Sequence, residues 1–216
     1  MPDTQALFFK DFENAHIPEI MEEIYLQSIY APYLIGKRDL IVVDVGQNIG
    51  LFSYYVHDHA KRVIGLEPST MHQDTLKQMI KFNKLTNVET LPYGLSNENG
   101  EKTFYLTKNT TAFSLMQLDP NVQTETIQVI DVDKLFELAK IDHIDLLKLD
   151  PEGEESKIIT SDAFKRHTKD IPLVIGEWHN WSAMSQIQFK QAFEKLGYTF
   201  HWIGGTRAAC YVAQQV

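Results

Sequence analysis

Cysteine is almost missing from this chain. Its 216 residues hold one, Cys210, inside the apolar run AACYVA. A single thiol closes no intrachain disulfide, so the fold asks for no oxidising compartment, and the residue reads as part of a buried strand. No apolar stretch approaches the ~18 residues of a membrane span. The N-terminal MPDTQALFFKDFENAH carries early acids where a signal peptide would have an apolar segment. Cytoplasm is the location expected. Dense basic clusters are absent too, and the net charge is −9. A nucleic-acid backbone would be repelled, so the expected partners include neither nucleic acid nor membrane. The rest is an ordinary globular composition, 44% hydrophobic and 23% charged. Its length suits one domain, or one with a small appendage, and its core needs neither disulfide nor metal.

The chain opens with one or two short helices over residues 5–35, with Pro18 near a start and Pro32 near a break. This gives an N-terminal helical cap, 1–39, ahead of a main domain, 40–216. Strands and helices then alternate. LIVVDV (40–45) is apolar throughout, as a strand buried on both faces requires. A helix over 50–60, the strand 62–67 and a helix over 70–84 follow, the last capped by Ser69 or Thr70. NVETLPY (87–93) is a third strand. In GLSNENGEKTFYLT the Asn99-Gly100 pair signals a hairpin turn, and 107–125 reads as a loop, making 94–130 an insertion at the rim. The strand 126–130, a helix over 131–140, the strand 144–150, a helical 154–167, the strand 172–178 and a helix over 183–196 closed by Gly197 complete the alternation. Two final strands form an antiparallel hairpin. Strands joined by helices imply a parallel sheet wound on both faces, with ligands beyond the carboxyl ends of its strands.

The turn after the first strand, DVGQNIG (44–50), is the most informative segment. Gly46 allows a tight turn, Gly50 lets the helix pack against the sheet, and Asn48 tolerates left-handed backbone. A dinucleotide fingerprint would need G-x-G-x-x-G, but the pattern is G-x-x-x-G. Asp44 at the loop mouth is a poor neighbour for a diphosphate and a good one for a sulfonium or ammonium group. Glu67, about twenty residues past Gly46, ends the second strand where an acid accepts hydrogen bonds from both hydroxyls of a ribose. A nucleoside with a cationic tail and no phosphate fits, and S-adenosylmethionine is such a molecule.

DVGQNIG (44–50), GLEPS (65–69), YGLSNENG (93–100), KLDPEGEE (148–155) and VIGEWHNW (174–181) occur in that order. Together they resemble the FkbM family of class I S-adenosylmethionine-dependent methyltransferases, over about residues 40–213. The resemblance implies a three-layer α/β fold: a Rossmann-like, doubly wound, mostly parallel seven-stranded sheet with a reversed C-terminal strand. It also implies methyl transfer to a hydroxyl oxygen of a sugar or other small metabolite. Asp44, Gly46, Gln47, Asn48, Gly50, Glu67, Pro68 and Ser69 would contact the cofactor, with Gly94, Leu95 and Ser96 near its adenine. Gln47 stands where the family usually has a small alanine, and Pro151 and Glu154 where Val and Ala are more usual.

At the rim, Asp150 ends one strand and Glu177 another, with His179 just beyond. A hydroxyl acceptor needs a base or a metal to take or loosen its proton. His179 or Glu177 is the base expected, and Asp150 helps to bind cofactor or acceptor. A divalent metal held by Asp150, Glu152, Glu177 and His179 is the other route, although their spacing matches no metal motif, and no metal is assigned. Glu154 and Glu155 read as helix-start acids favoured by the dipole, and Lys148 as a buried cation paired to an acid. Thr110, Thr111, Phe113 and Ser114 are placed near a small-molecule acceptor. A macromolecular acceptor and a non-catalytic cofactor-binding scaffold are the alternatives. A reversed edge strand leaves room for a homodimer beside the monomer.

Overall fold

The computed structural model describes residues 21–106, 113–116, 122–204 and 209–216. Pro18, Thr110 and Thr111 lie outside them. Ten strands form two sheets. The larger sheet holds β1 (Leu40–Val45), β2 (Ala60–Leu66), β3 (Val88–Leu91), β7 (Leu146–Leu149), β8 (Leu173–Trp178), β9 (Tyr198–Gly204) and β10 (Ala209–Gln215), in the order β3-β2-β1-β7-β8-β10-β9. Every pairing from β3 to β8 is parallel, and β10 runs antiparallel to both β8 and β9. The reversed strand is therefore internal. The edge expected to be reversed is β9, which runs with the majority.

The period of two in a strand divides the core. Val43 and Val45 of β1 point into one apolar cluster, against α3 (Val132–Ala139), α4 (Glu155–Thr160), α5 (Asp162–Arg166) and α6 (Gln186–Lys195). Leu40 and Val42 point into the other, against α1 (Leu51–Val56) and α2 (Thr70–Phe82). The described part of the N-terminal segment has a π-helical turn (Glu22–Leu26) and a 3-10 turn (Ala31–Tyr33), and it adds Ile24, Tyr30 and Leu34 to that second cluster. Pro32 opens its turn instead of breaking one. Three layers result, because a sheet apolar on both faces must be covered on both.

Two local expectations change. Asn99-Gly100 makes no hairpin. Asn99 exchanges hydrogen bonds with Asp131, accepting from its amide at 3.0 Å and donating to its carboxylate at 2.8 Å. Its side chain so ties the start of β5 (Gly100–Leu106) to the end of β6 (Gln123–Ile130). β5 pairs antiparallel with β6, and β4 (Gly94–Leu95) pairs parallel with β6 on its other side, forming a separate three-stranded sheet. The segment 154–167 is two helices. Ser161 leaves helical geometry and its hydroxyl accepts from the Phe164 amide at 3.1 Å, capping α5. Gly197, at φ +88, closes α6 as its spacing predicts.

Candidate active site

The carboxyl ends of β1, β2, β7 and β8 open into one cleft of about 280 Å³. The small sheet closes its side with Leu95, Phe104, Phe113 and Ile127. Gly46, Gln47 and Asn48 supply the lining from the first loop, and Glu67 and Pro68 from the second. Gly94 and Leu95 come from the small sheet, and Asp150, Glu177 and His179 form the opposite wall with Glu152.

The first loop owes its shape to close approach. Gly46 has φ +72, and a Cβ there would lie 2.1 Å from the Asp150 carbonyl oxygen, so only glycine lets this turn touch the β7 loop. Asn48 is left-handed at φ +53, its Oδ1 accepting from the Ile49 amide at 2.7 Å. Gly50 is also required, but against α2: a Cβ would sit 2.3 Å from Met79 Cε and 2.9 Å from Leu76 Cδ2. The expected packing on the sheet is thus a helix contact, and Gly50 is outside the cleft lining.

Asp44 does not face the cleft. It is fully buried beneath the loop, accepts from the Ser53 hydroxyl at 2.7 Å and lies 3.5 Å from Nζ of Lys148. Burial raises its pKa, opposed by Lys148 and Ser53. The sequence placed it at the loop mouth because it ends an apolar strand, but the pleat turns its side chain under. Lys148 links it to Asp150, whose Oδ2 is 3.0 Å away. Burial pushes the Lys148 pKa down, and the charges of Asp150 and Asp44 outweigh it and carry it up, so the ammonium holds its proton.

Gln47 is buried and lies across the strands. It donates to Ser53 at 2.9 Å and accepts from Thr90 at 2.7 Å, over Gly65, where a Cβ would meet Gln47 Cδ at 1.9 Å. Glu67 accepts from the Asn48 amide at 2.8 Å and the Ser69 amide at 2.9 Å, one on each oxygen, leaving further lone pairs free for a ligand. Ser69 occupies the N-cap position of α2, but its buried hydroxyl caps nothing, and it does not line the cleft. Beside Glu67 at 3.3 Å is His72, which sequence reasoning missed; it is 5% exposed, lines the cleft, stacks on Phe113, and has both ring nitrogens without a hydrogen bond.

Ser96 is not beside the cleft. It donates to Glu154 at 2.7 Å and accepts from Lys102, bolting the small sheet to the start of α4. Glu155 begins α4 as expected of a helix-start acid, but it is fully buried and accepts from the Gly153 amide at 3.0 Å. Its Oε1 also lies 2.6 Å from Nδ1 of His179. Nε2 of His179 faces Glu152 Oε2 at 3.3 Å and Asp150 Oδ1 at 3.8 Å. Burial lowers the His179 pKa, but the bond to Glu155 and the charges of Glu152, Glu155 and Asp150 prevail and raise it to about 10. A ring held in its charged form accepts no proton, which weighs against His179 as the base expected. Asp150, Glu152 and His179 are the one group among the described residues close enough to share a metal ion, each offering one ligand atom.

A model of the FkbM methyltransferase domain matches residues 44–200. The chain belongs to the FkbM methyltransferase family. It is 27% identical over 183 residues to methyltransferase 1 of Beauveria bassiana, a match covering 74% of this chain and 72% of that protein. Among solved structures, the precorrin-6y C5,15-methyltransferase of Geobacter metallireducens superposes with a TM-score of 0.57 at 13% identity, over 97% of this chain and 99% of that one. The magnesium protoporphyrin IX methyltransferase of Synechocystis, solved with bound S-adenosylmethionine, gives 0.56 at 10% identity, over 92% and 83%. This FkbM methyltransferase thus shares its Rossmann-like architecture with proteins of remote sequence.

Proposed function

We propose that this methyltransferase uses S-adenosylmethionine to methylate a hydroxyl oxygen of a small molecule. The observation that carries the reading is Glu67, at the tip of β2, with each oxygen set by a backbone amide and its remaining lone pairs available to a ribose diol. The residues fit such a nucleoside. The unpartnered nitrogens of His72 add polar contacts next to Glu67, and Leu95, Phe104 and Phe113 supply an apolar wall for a base. When bound, the cofactor supplies an electrophilic methyl on a cationic sulfur. Asp150 and Glu177 on the far wall complement positive charge, and Lys148 tempers the acidity of that wall. Enclosure aligns acceptor oxygen and methyl and excludes water, an effect worth roughly 7–11 kcal/mol. The acidic chain supports a small acceptor over nucleic acid.

Calorimetry with S-adenosylhomocysteine, followed by incubation with labelled methyl donor and a metabolite extract, tests the reading. Binding plus label on a small molecule supports it. No heat, or label only on macromolecules, rejects it.

A further inference from the structure

Glu152 is held in a backbone conformation that its side chain does not favour. Its φ is +53, a left-handed geometry that strains a non-glycine residue. Donors from two segments fix it: the Ser114 hydroxyl gives to its carbonyl at 2.6 Å and the Trp181 indole N–H at 3.2 Å. Gly153 follows at φ +112, where a Cβ would meet Trp181 at 2.8 Å and Met116 at 3.0 Å. The backbone is pinned from both sides, and the carboxyl lines the cleft. Its Oε2 is buried and makes no hydrogen bond, with the His179 ring 3.3 Å away. Asp150 is set likewise, its Oδ2 on Lys148 and its Oδ1 3.8 Å from His179.

We propose that Glu152 takes the proton of the acceptor hydroxyl, with His179 as the positioning residue that orients it. This rests on the methyl-transfer reading of the same cleft. The O–H proton passes to the carboxylate of Glu152, whose Oε2 stays against His179. The freed oxygen pair forms the O–CH3 bond as the C–S bond breaks, and that pair stays on sulfur. The carboxylate and sulfonium charges are discharged together, so atoms and charge balance. Glu152 is faced by Asp150, itself paired with Lys148, from the end of β7, by Glu177 and His179 from β8 and the turn after it, and by Glu155 from α4. Burial raises its pKa, the His179 charge lowers it, and the three carboxylates raise it further, to about 8.

The test has an arm that needs no acceptor. Carbon-13 carboxyl titration of the glutamate-labelled protein, with E152Q to assign the signal, should show Glu152 ionising between about pH 7 and 9. Ionisation complete below about pH 5.5 would overturn the proposal. In the second arm, E152Q and E152D should bind S-adenosylhomocysteine within about threefold of wild type. Label transfer to the extract by E152Q should fall about 10²–10⁴-fold, with E152D retaining part. Wild-type turnover by E152Q removes the role, as does loss of transfer on chelation restored by Mg²⁺. Failure of the wild type to bind S-adenosylhomocysteine instead removes the methyltransferase reading, and the titration still decides the state of Glu152.

Discussion

Nζ of Lys148 sits 3.5 Å from Oδ1 of Asp44, joining neighbouring strands β1 and β7 beneath the loop that follows β1. The pair gives an apolar strand a reason to end in a carboxylate: the acid neutralises a buried cation. Lys148→Met removes the ammonium and strands Asp44 in the core. Loss of one partner of a buried pair costs about 3–5 kcal/mol. Urea unfolding should show that loss, and K148M/D44N should regain more than half of it. Equal stabilities for K148M and wild type would mean the pair carries nothing.

Gln47 and Gly65 form a lock and its space. Gly65→Ala drives a methyl into the Gln47 amide, which Ser53 and Thr90 hold in place. Overpacking of this kind costs about 1–3 kcal/mol. Adding Gln47→Ala should make the double variant more stable than G65A alone. Strict additivity in the double-mutant cycle would disprove the contact.

Glu67 holds two loops by their amides and is the residue proposed to meet the ligand. Glu67→Gln keeps one acceptor oxygen and turns an NH2 toward a backbone N–H of Asn48 or Ser69. We expect S-adenosylhomocysteine binding to weaken about ten- to a hundredfold and stability to fall by about 1–3 kcal/mol. Unchanged affinity by calorimetry would remove Glu67 from the ligand site.

Stability should fall with rising pH in two overlapping windows. The folded pKa of His179 is raised from 6.5 to about 10, so its contribution is full below 6.5 and lost on the way to 10. That of Glu152 is raised from 4.5 to about 8, so its contribution is full below 4.5 and lost on the way to 8. Both slopes have the same sign. Urea midpoints at about pH 6, 8 and 10 should decline, and His179→Gln should flatten the upper part. A midpoint that rises from pH 6 to 10 would contradict the buried cluster.

The sequence by itself determined the architecture and the strand ends at which the cleft opens. Continuous apolar strands such as LIVVDV must be covered on both faces, the alternation with helices makes the sheet parallel, and Gly46 and Glu67 mark the strand ends where a nucleoside can approach. These are local or periodic signals, and they survive folding. Only the tertiary structure decided which carboxylates meet the cleft. Asp44 and Glu155 are buried in partnerships with Lys148 and His179, 104 and 24 residues away. No local pattern announces such partners. The charge of His179 and the state of Glu152 depend on four acidic groups converging from β7, β8 and α4, and the turn of Glu152 toward the cleft depends on Ser114 and Trp181. Coulomb interactions act through space, so proton affinities at this rim follow from distances that only the packed chain defines.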